Sequence, residues 1–173
     1  MPKLLEMVRE KALEKAREIL LGPDGYEALT MRSVASALSV GVGTLYNYFP
    51  SKEHLIASVM LEDWQKAGAA LEERLRTLPP GEGLRAVYAL IEDFARLYTP
   101  VWSAAASRTQ EHRRRYHSAL VEQIRGYLAA LDAGGDVEAQ RFAAEMLLYF
   151  ASSGGHTFES VEPYLRKLIE IKQ

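Results

Sequence analysis

The sequence predicts an all-α protein: an N-terminal three-helix helix-turn-helix domain followed by a C-terminal helical bundle. Three observations carry this. Apolar residues recur at spacings of three and four along the chain, and no segment alternates with period two. The breaks between periodic runs are short and rich in Gly and Pro, as at Gly22–Gly25 and Pro79–Gly83. Between Thr30 and Lys52, two short helical runs flank a tight turn.

The elements follow in order. Pro2 to Leu21 is predicted as an amphipathic helix, with Leu5, Val8, Ala12, Ala16, Ile19 and Leu20 on one face. Gly22-Pro23-Asp24-Gly25 breaks it, and Tyr26 and Leu29 lead into the next stretch. Thr30 is a good N-cap, because its hydroxyl can take a free backbone N–H of the first turn. Met31 to Leu38 is helical in spacing, with Val34, Ala35 and Leu38 together. Ser39-Val40-Gly41 interrupts, and Val42 to Tyr48 forms a second run with Leu45 and Phe49 four apart. Pro50 ends that run, since the residue before proline disfavours the helical region. Ser51 can cap a further helix from Lys52.

Two helices joined by such a turn form a helix-turn-helix, whose second helix enters the DNA major groove. Val34, Leu38, Val40, Leu45 and Phe49 would make its small core. That leaves Val42, Gly43, Thr44, Tyr46, Asn47 and Tyr48 for the outside.

In the body, Lys52 to about Leu78 is predicted as one long helix and Leu84 to Tyr98 as another, ended by Thr99-Pro100. A short helix with Trp102 and a longer one ending near Leu131 follow. Asp136 caps Val137 to Ser152, which is apolar almost all round and must be buried on several sides. A last helix runs from about Ser160 to Lys172. The expected division is 1–50 for the helix-turn-helix domain and 51–173 for a helical domain.

With 173 residues, 48% hydrophobic and 25% charged, the chain has the composition of a soluble globular protein. It has no run of about 18 apolar residues, so no membrane partner is expected. The N-terminus carries acids throughout and does not read as a signal peptide. The absence of cysteine fits a cytoplasmic protein and excludes thiol chemistry. The net charge of −2 does not advertise a nucleic-acid binder. Locally, however, Thr30 to Lys52 holds Arg32 and Lys52 and no acid, so phosphate contacts would rest on few cations, hydroxyls and helix N-termini. The four histidines form no ligand pair, and neither G-x-S-x-G nor a phosphate loop occurs. No cofactor, metal or enzyme activity is expected.

The wording of one stretch adds to this. Thr44 to Leu55 reads T-L-Y-N-Y-F-P-S-K-E-H-L and resembles the TetR family of transcriptional repressors. Gly25 to Arg32 (G-Y-E-A-L-T-M-R) and Val34 to Ala37 (V-A-S-A) match as well. The resemblance covers about Ala16 to Leu55. The family usually has Gly where this chain has Ser39, and often Ser where it has Gly41. If position 39 needs a left-handed backbone, Ser costs roughly 1–2 kcal/mol there.

The resemblance implies a ligand-responsive repressor that acts as a homodimer on a near-palindromic DNA operator and is released by a small, largely apolar effector. Thr44, Tyr46 and Asn47 are the candidates for base edges, since Thr can meet a thymine methyl and Asn can read adenine bidentately. Gly43 would allow close backbone approach. Arg32, Ser33, Tyr48 and Lys52 are candidates for phosphates. The resemblance also implies a cavity among the body helices, for which Tyr88, Phe94, Trp102, Tyr116, Phe142 and Met146 are the candidate lining. It implies pairing of the last two helices with those of a second copy, for which Ala143, Leu147, Phe150, Val161, Leu165 and Leu168 are the candidates. The run His112 to His117, with Arg113 and Arg115, is either a solvated face or a site for an anionic effector. The alternative class, a helical adaptor or structural bundle, predicts no DNA affinity.

Overall fold

The computed structural model describes the backbone of residues 2–105, 110–131 and 136–169, and the side chains of residues 7–101, 117–131 and 136–169. Among them every regular element is an α-helix: α1 (Pro2–Leu20), α2 (Gly25–Ala28), α3 (Met31–Ala37), α4 (Val42–Tyr46), α5 (Lys52–Leu75), α6 (Pro80–Ala105), α7 (Gln110–Ala130), α8 (Val137–Ser153) and α9 (Phe158–Leu168). No helix among the described residues is long and apolar enough to cross a membrane.

The chain divides into two units. One comprises residues 1–65 and 97–107, the other 66–96 and 108–173. In the first unit, α1 packs on α2 and α3, and α3 packs on α4. Its buried apolar groups include Ala12, Leu13, Ala16, Leu29, Val34, Ala35, Leu45, Phe49, Leu55 and Val59. In the second unit, α7 packs on α8 and α8 on α9. Here Val87, Ile91, Ile124, Leu128, Ala143, Leu147, Val161 and Leu165 are buried.

Helix ends follow local chemistry. Thr30 closes a capping box: its Oγ1 accepts from the Ser33 N–H, and Ser33 Oγ accepts from the Thr30 N–H, both at 2.9 Å. Asp136 caps α8 by accepting from the Ala139 N–H at 2.8 Å, and Gly154, left-handed at φ 70°, stops it. At the end of α3, the Val40 N–H donates to Ala35 O and the Ser39 N–H to Ser36 O. That is a Schellman closure, which puts residue 39 in the left-handed region. Ser39 indeed has φ 54°.

Four expectations are corrected. Residues 25–28 form a helical turn that is too short to show periodicity. Helix α5 ends at Leu75, where the Thr77 and Leu78 N–H groups turn back onto Arg74 O.

Helix α6 starts at Pro80 and runs through Pro100 as one element. Proline at the first helical position loses nothing, because that N–H has no intrahelical partner anyway. The glycines after it pack instead of breaking: a Cβ at Gly83 would lie 2.2 Å from Leu131 Cδ2. Further along, Tyr98 and Val101 are buried and hold the helix across Pro100, which is exposed. Lastly, α9 starts at Phe158 and contains Pro163, whose ring faces solvent. Buried Phe158 recruits the extra turn.

Candidate nucleic-acid interface

Helix α4 has two faces. Leu45, with Phe49 one turn on, is fully buried and seats the helix on α3. Gly43, Thr44, Tyr46 and Asn47 are exposed, Tyr46 at 48%. Gly43, Tyr46 and Asn47 share a face by their spacing of three and four. A Cβ placed on Gly43 meets nothing within 4 Å, so the fold does not require glycine there. Asn47 is the sole asparagine of the chain, and it stands on this face.

The four phosphate candidates differ. Arg32 is exposed on α3. The Ser33 hydroxyl is already engaged: besides its part in the box, it lies within donating distance of Thr30 O at 2.9 Å and Ala28 O at 3.2 Å. A phosphate would compete with the cap. Lys52 Nζ donates to Tyr26 O at 2.5 Å and stands 3.6 Å from the centre of the Tyr26 ring. Its charge therefore ties α2 to the start of α5. The Tyr48 hydroxyl is buried and makes no hydrogen bond, so in this conformation it is turned away from any phosphate. Tyr26 was not a sequence candidate, because nothing in the spacing links residues 26 and 52.

Of the effector candidates with described side chains, Tyr88 and Met146 both lie beside His156 in the second unit. Tyr88 is buried, donates to His156 O at 2.8 Å and packs edge-on against Phe158 at 5.6 Å. Burial, with Glu92 and Glu159 nearby, raises its hydroxyl above the ordinary range. Its hydrogen bond ties α6 to the turn between α8 and α9. Phe94 is half-buried. Phe142 is 55% exposed on α8. Met146 lines a surface groove of about 210 Å³ with Phe150, His156, Ser160, Val161 and Tyr164. The side chains of Trp102 and Tyr116, and the run 112–116 with Arg113 and Arg115, lie outside the described residues.

Burial separates the pairing candidates, among which core positions of the single chain were expected. Ala143, Leu147 and Leu165 are 0% exposed and Val161 is 3% exposed within a single chain. They have no area left to offer a second copy. Phe150 and Leu168 keep part of theirs. The apolar surface left on these helices is instead Phe142, Tyr149 at 67% and Tyr164 at 61%. Periodicity identified apolar positions but could not say which faced inward, because α8 is apolar almost all round.

A capped helix, a Schellman turn and a second helix with a bare outer face, preceded by a packed first helix, define a helix-turn-helix protein of the DNA-binding class. Residues 13–59 match the family model for bacterial regulatory proteins of the tetR family. The chain is 45% identical over 58 residues to the HTH-type transcriptional repressor KstR of Rhodococcus jostii, covering 34% of this chain and 27% of the relative. It is 33% identical over 89 residues to the HTH-type transcriptional regulator UidR of Escherichia coli K12, covering 51% and 42%. These matches thus span between about a quarter and under half of each relative. The fold is similar to that of the transcriptional regulator FadR from Bacillus subtilis, solved in complex with stearoyl-CoA, with a TM-score of 0.59 at 19% identity over 95% of this chain and 99% of that one. The similarity to bacterial regulatory proteins of the tetR family thus rests on residues 13–59, about a quarter of the chain.

Proposed function

We propose that this chain is a cytoplasmic transcriptional repressor that binds a near-palindromic DNA operator as a homodimer and releases it when a small, largely apolar effector binds. The exposed face of α4 carries the reading: Gly43, Thr44, Tyr46 and Asn47 support nothing in the fold that would explain their exposure. Thr44, Tyr46 and Asn47 read base edges, and Gly43 lets the backbone come close. Arg32 and Lys52 hold phosphates, joined by the Tyr48 hydroxyl once it turns outward. Residues 1–50 form the helix-turn-helix DNA-binding domain, and residues 51–173 serve ligand binding and dimerisation, with Lys52 at the junction reaching a phosphate.

A helix-turn-helix reads an inverted repeat through a twofold dimer, with half-sites about one helical turn apart. The exposed apolar surface of α8 and α9, with Phe142, Tyr149, Tyr164 and the groove beside them, supports pairing there. An apolar effector is supported by fold alone, through the acyl-CoA held by FadR. Its release of DNA requires different affinities for two conformations.

Selection from random duplex DNA at about 100 mM salt, where non-specific phosphate binding is partly suppressed, tests the reading. Enrichment of an inverted repeat is the expected result. No enrichment, even after the protein has been unfolded, dialysed and refolded to remove bound ligand, would overturn it.

A further inference from the structure

Within the first unit, three helices meet at one carboxylate. Arg17 of α1 donates from Nε to Asp63 Oδ1 at 2.7 Å, and its Nη2 lies 2.6 Å from the same oxygen. Nη2 also donates to Glu62 Oε2 at 2.7 Å. The second Asp63 oxygen, Oδ2, accepts from the Tyr98 hydroxyl of α6 at 2.5 Å. Tyr98 is 0% exposed, while Arg17 and Asp63 are partly buried. Burial first, then the bond to Asp63, holds the Tyr98 hydroxyl far above its ordinary range, so it remains a donor. The bond to Asp63, with Glu62, holds Arg17 charged against the opposing effect of burial. Charge-assisted bonds of this kind are the strong ones.

A second observation lies two residues along. Pro100 has no N–H, so the Arg96 carbonyl lacks its intrahelical donor. The missing rung spans residues 96 to 100, at the stretch where α6 enters the first unit. The ladder lacks one bond in that turn, and Tyr98 within it is fastened to Asp63. On the other side of the network, α1 packs on α3, and α3 carries α4.

We infer that Arg17, Asp63 and Tyr98 are positioning residues for the DNA-reading face, fastening the last turns of α6 to the helix that seats α3 and α4. The last turns of α6 are then a working part of the helix-turn-helix unit, although they lie some forty residues beyond the matched segment. The affinity arm of this inference rests on the DNA-binding reading, whereas the structural arm does not.

Tyr98→Phe in the full chain tests it, because it removes one hydroxyl and keeps the ring. Backbone amide exchange in α1, α3 and α4 should accelerate about tenfold or more, with α7 and α8 unchanged. Affinity for the selected duplex should fall about tenfold with an unaltered salt slope, since no phosphate contact is lost. Arg17→Gln should act alike, and the double variant should be no worse than the weaker single one, as expected when both act through Asp63. The inference is overturned by α1–α4 exchange within about twofold of the parent. It is equally overturned by uniform acceleration across both units, or by additive losses in the double variant. If the parent binds no duplex at all, the DNA reading fails, and the exchange measurement still decides the positioning role.

Discussion

Replacing Gly43 with alanine should make the free chain more stable and its complex with DNA weaker. The first effect follows from the helix itself. Gly43 is the second residue of α4 and has no left-handed backbone to protect, since the positive-φ glycines described are Gly25 and Gly154. Its carbonyl accepts from the Asn47 N–H at 3.2 Å, and a Cβ there meets nothing within 4 Å. Alanine is favoured over glycine by up to about 1 kcal/mol in a helix interior, and by roughly half that near an end. For a chain of this size, that raises the melting temperature by about 1–2 °C. The second effect needs the duplex. If the α4 backbone lies against a base edge at Gly43, the added methyl displaces it and forfeits about one base contact, worth ~1–3 kcal/mol. Affinity then falls about ten- to a hundredfold. Calorimetric melting and fluorescence anisotropy on the selected duplex, at fixed salt, measure the two effects. An affinity unchanged within about twofold, beside a raised melting temperature, would refute the close approach at Gly43. A melting temperature lowered by several degrees would refute the account of α4.

Three further outcomes are expected. Ser39→Gly relieves a left-handed serine and should stabilise the chain by about 1 kcal/mol in urea titration, with duplex affinity unchanged. Tyr48→Phe removes a buried hydroxyl that has no partner and should raise stability by up to about 1 kcal/mol; anisotropy should show weaker binding to every duplex, as loss of a phosphate contact requires. Tyr149→Glu should leave far-UV circular dichroism intact while shifting sedimentation toward the monomer, whereas Leu147→Ala should cost about 2–5 kcal/mol of fold stability because that side chain is fully buried.

Much of the head was legible because its signals are local. The Thr30 cap, the turn at Ser39 and the buried pair Leu45 and Phe49 each depend on residues a few positions apart. The left-handed strain at Ser39 could be anticipated from the family's preference for glycine there. The prolines of α6 were misread for the opposite reason. Whether Pro100 ends a helix depends on Tyr98 and Val101 being buried around it, which is decided by residues far along the chain. The network joining Arg17, Asp63 and Tyr98 spans separations of 46 and 35 residues and left no local trace. The pairing candidates could not be sorted in the sequence on another account. In α8, Ala143 and Leu147 look as suitable as Phe142 and Tyr149 in the sequence, and only packing divides the buried from the exposed.

The aromatic surface of α8 and α9 has a consequence for dosage. With pairing through that surface as proposed, operator-competent protein is made by a second-order step. Below the dimer dissociation constant, the amount of paired species varies as the square of chain concentration. Halving the number of chains in a cell then leaves about a quarter of the pairs, and doubling it gives about four times as many. Occupancy of a promoter would rise over a narrow range of expression and fall away quickly beneath it. Tyr149 and Tyr164, far along the chain from any base contact, would thus set how much protein counts as enough.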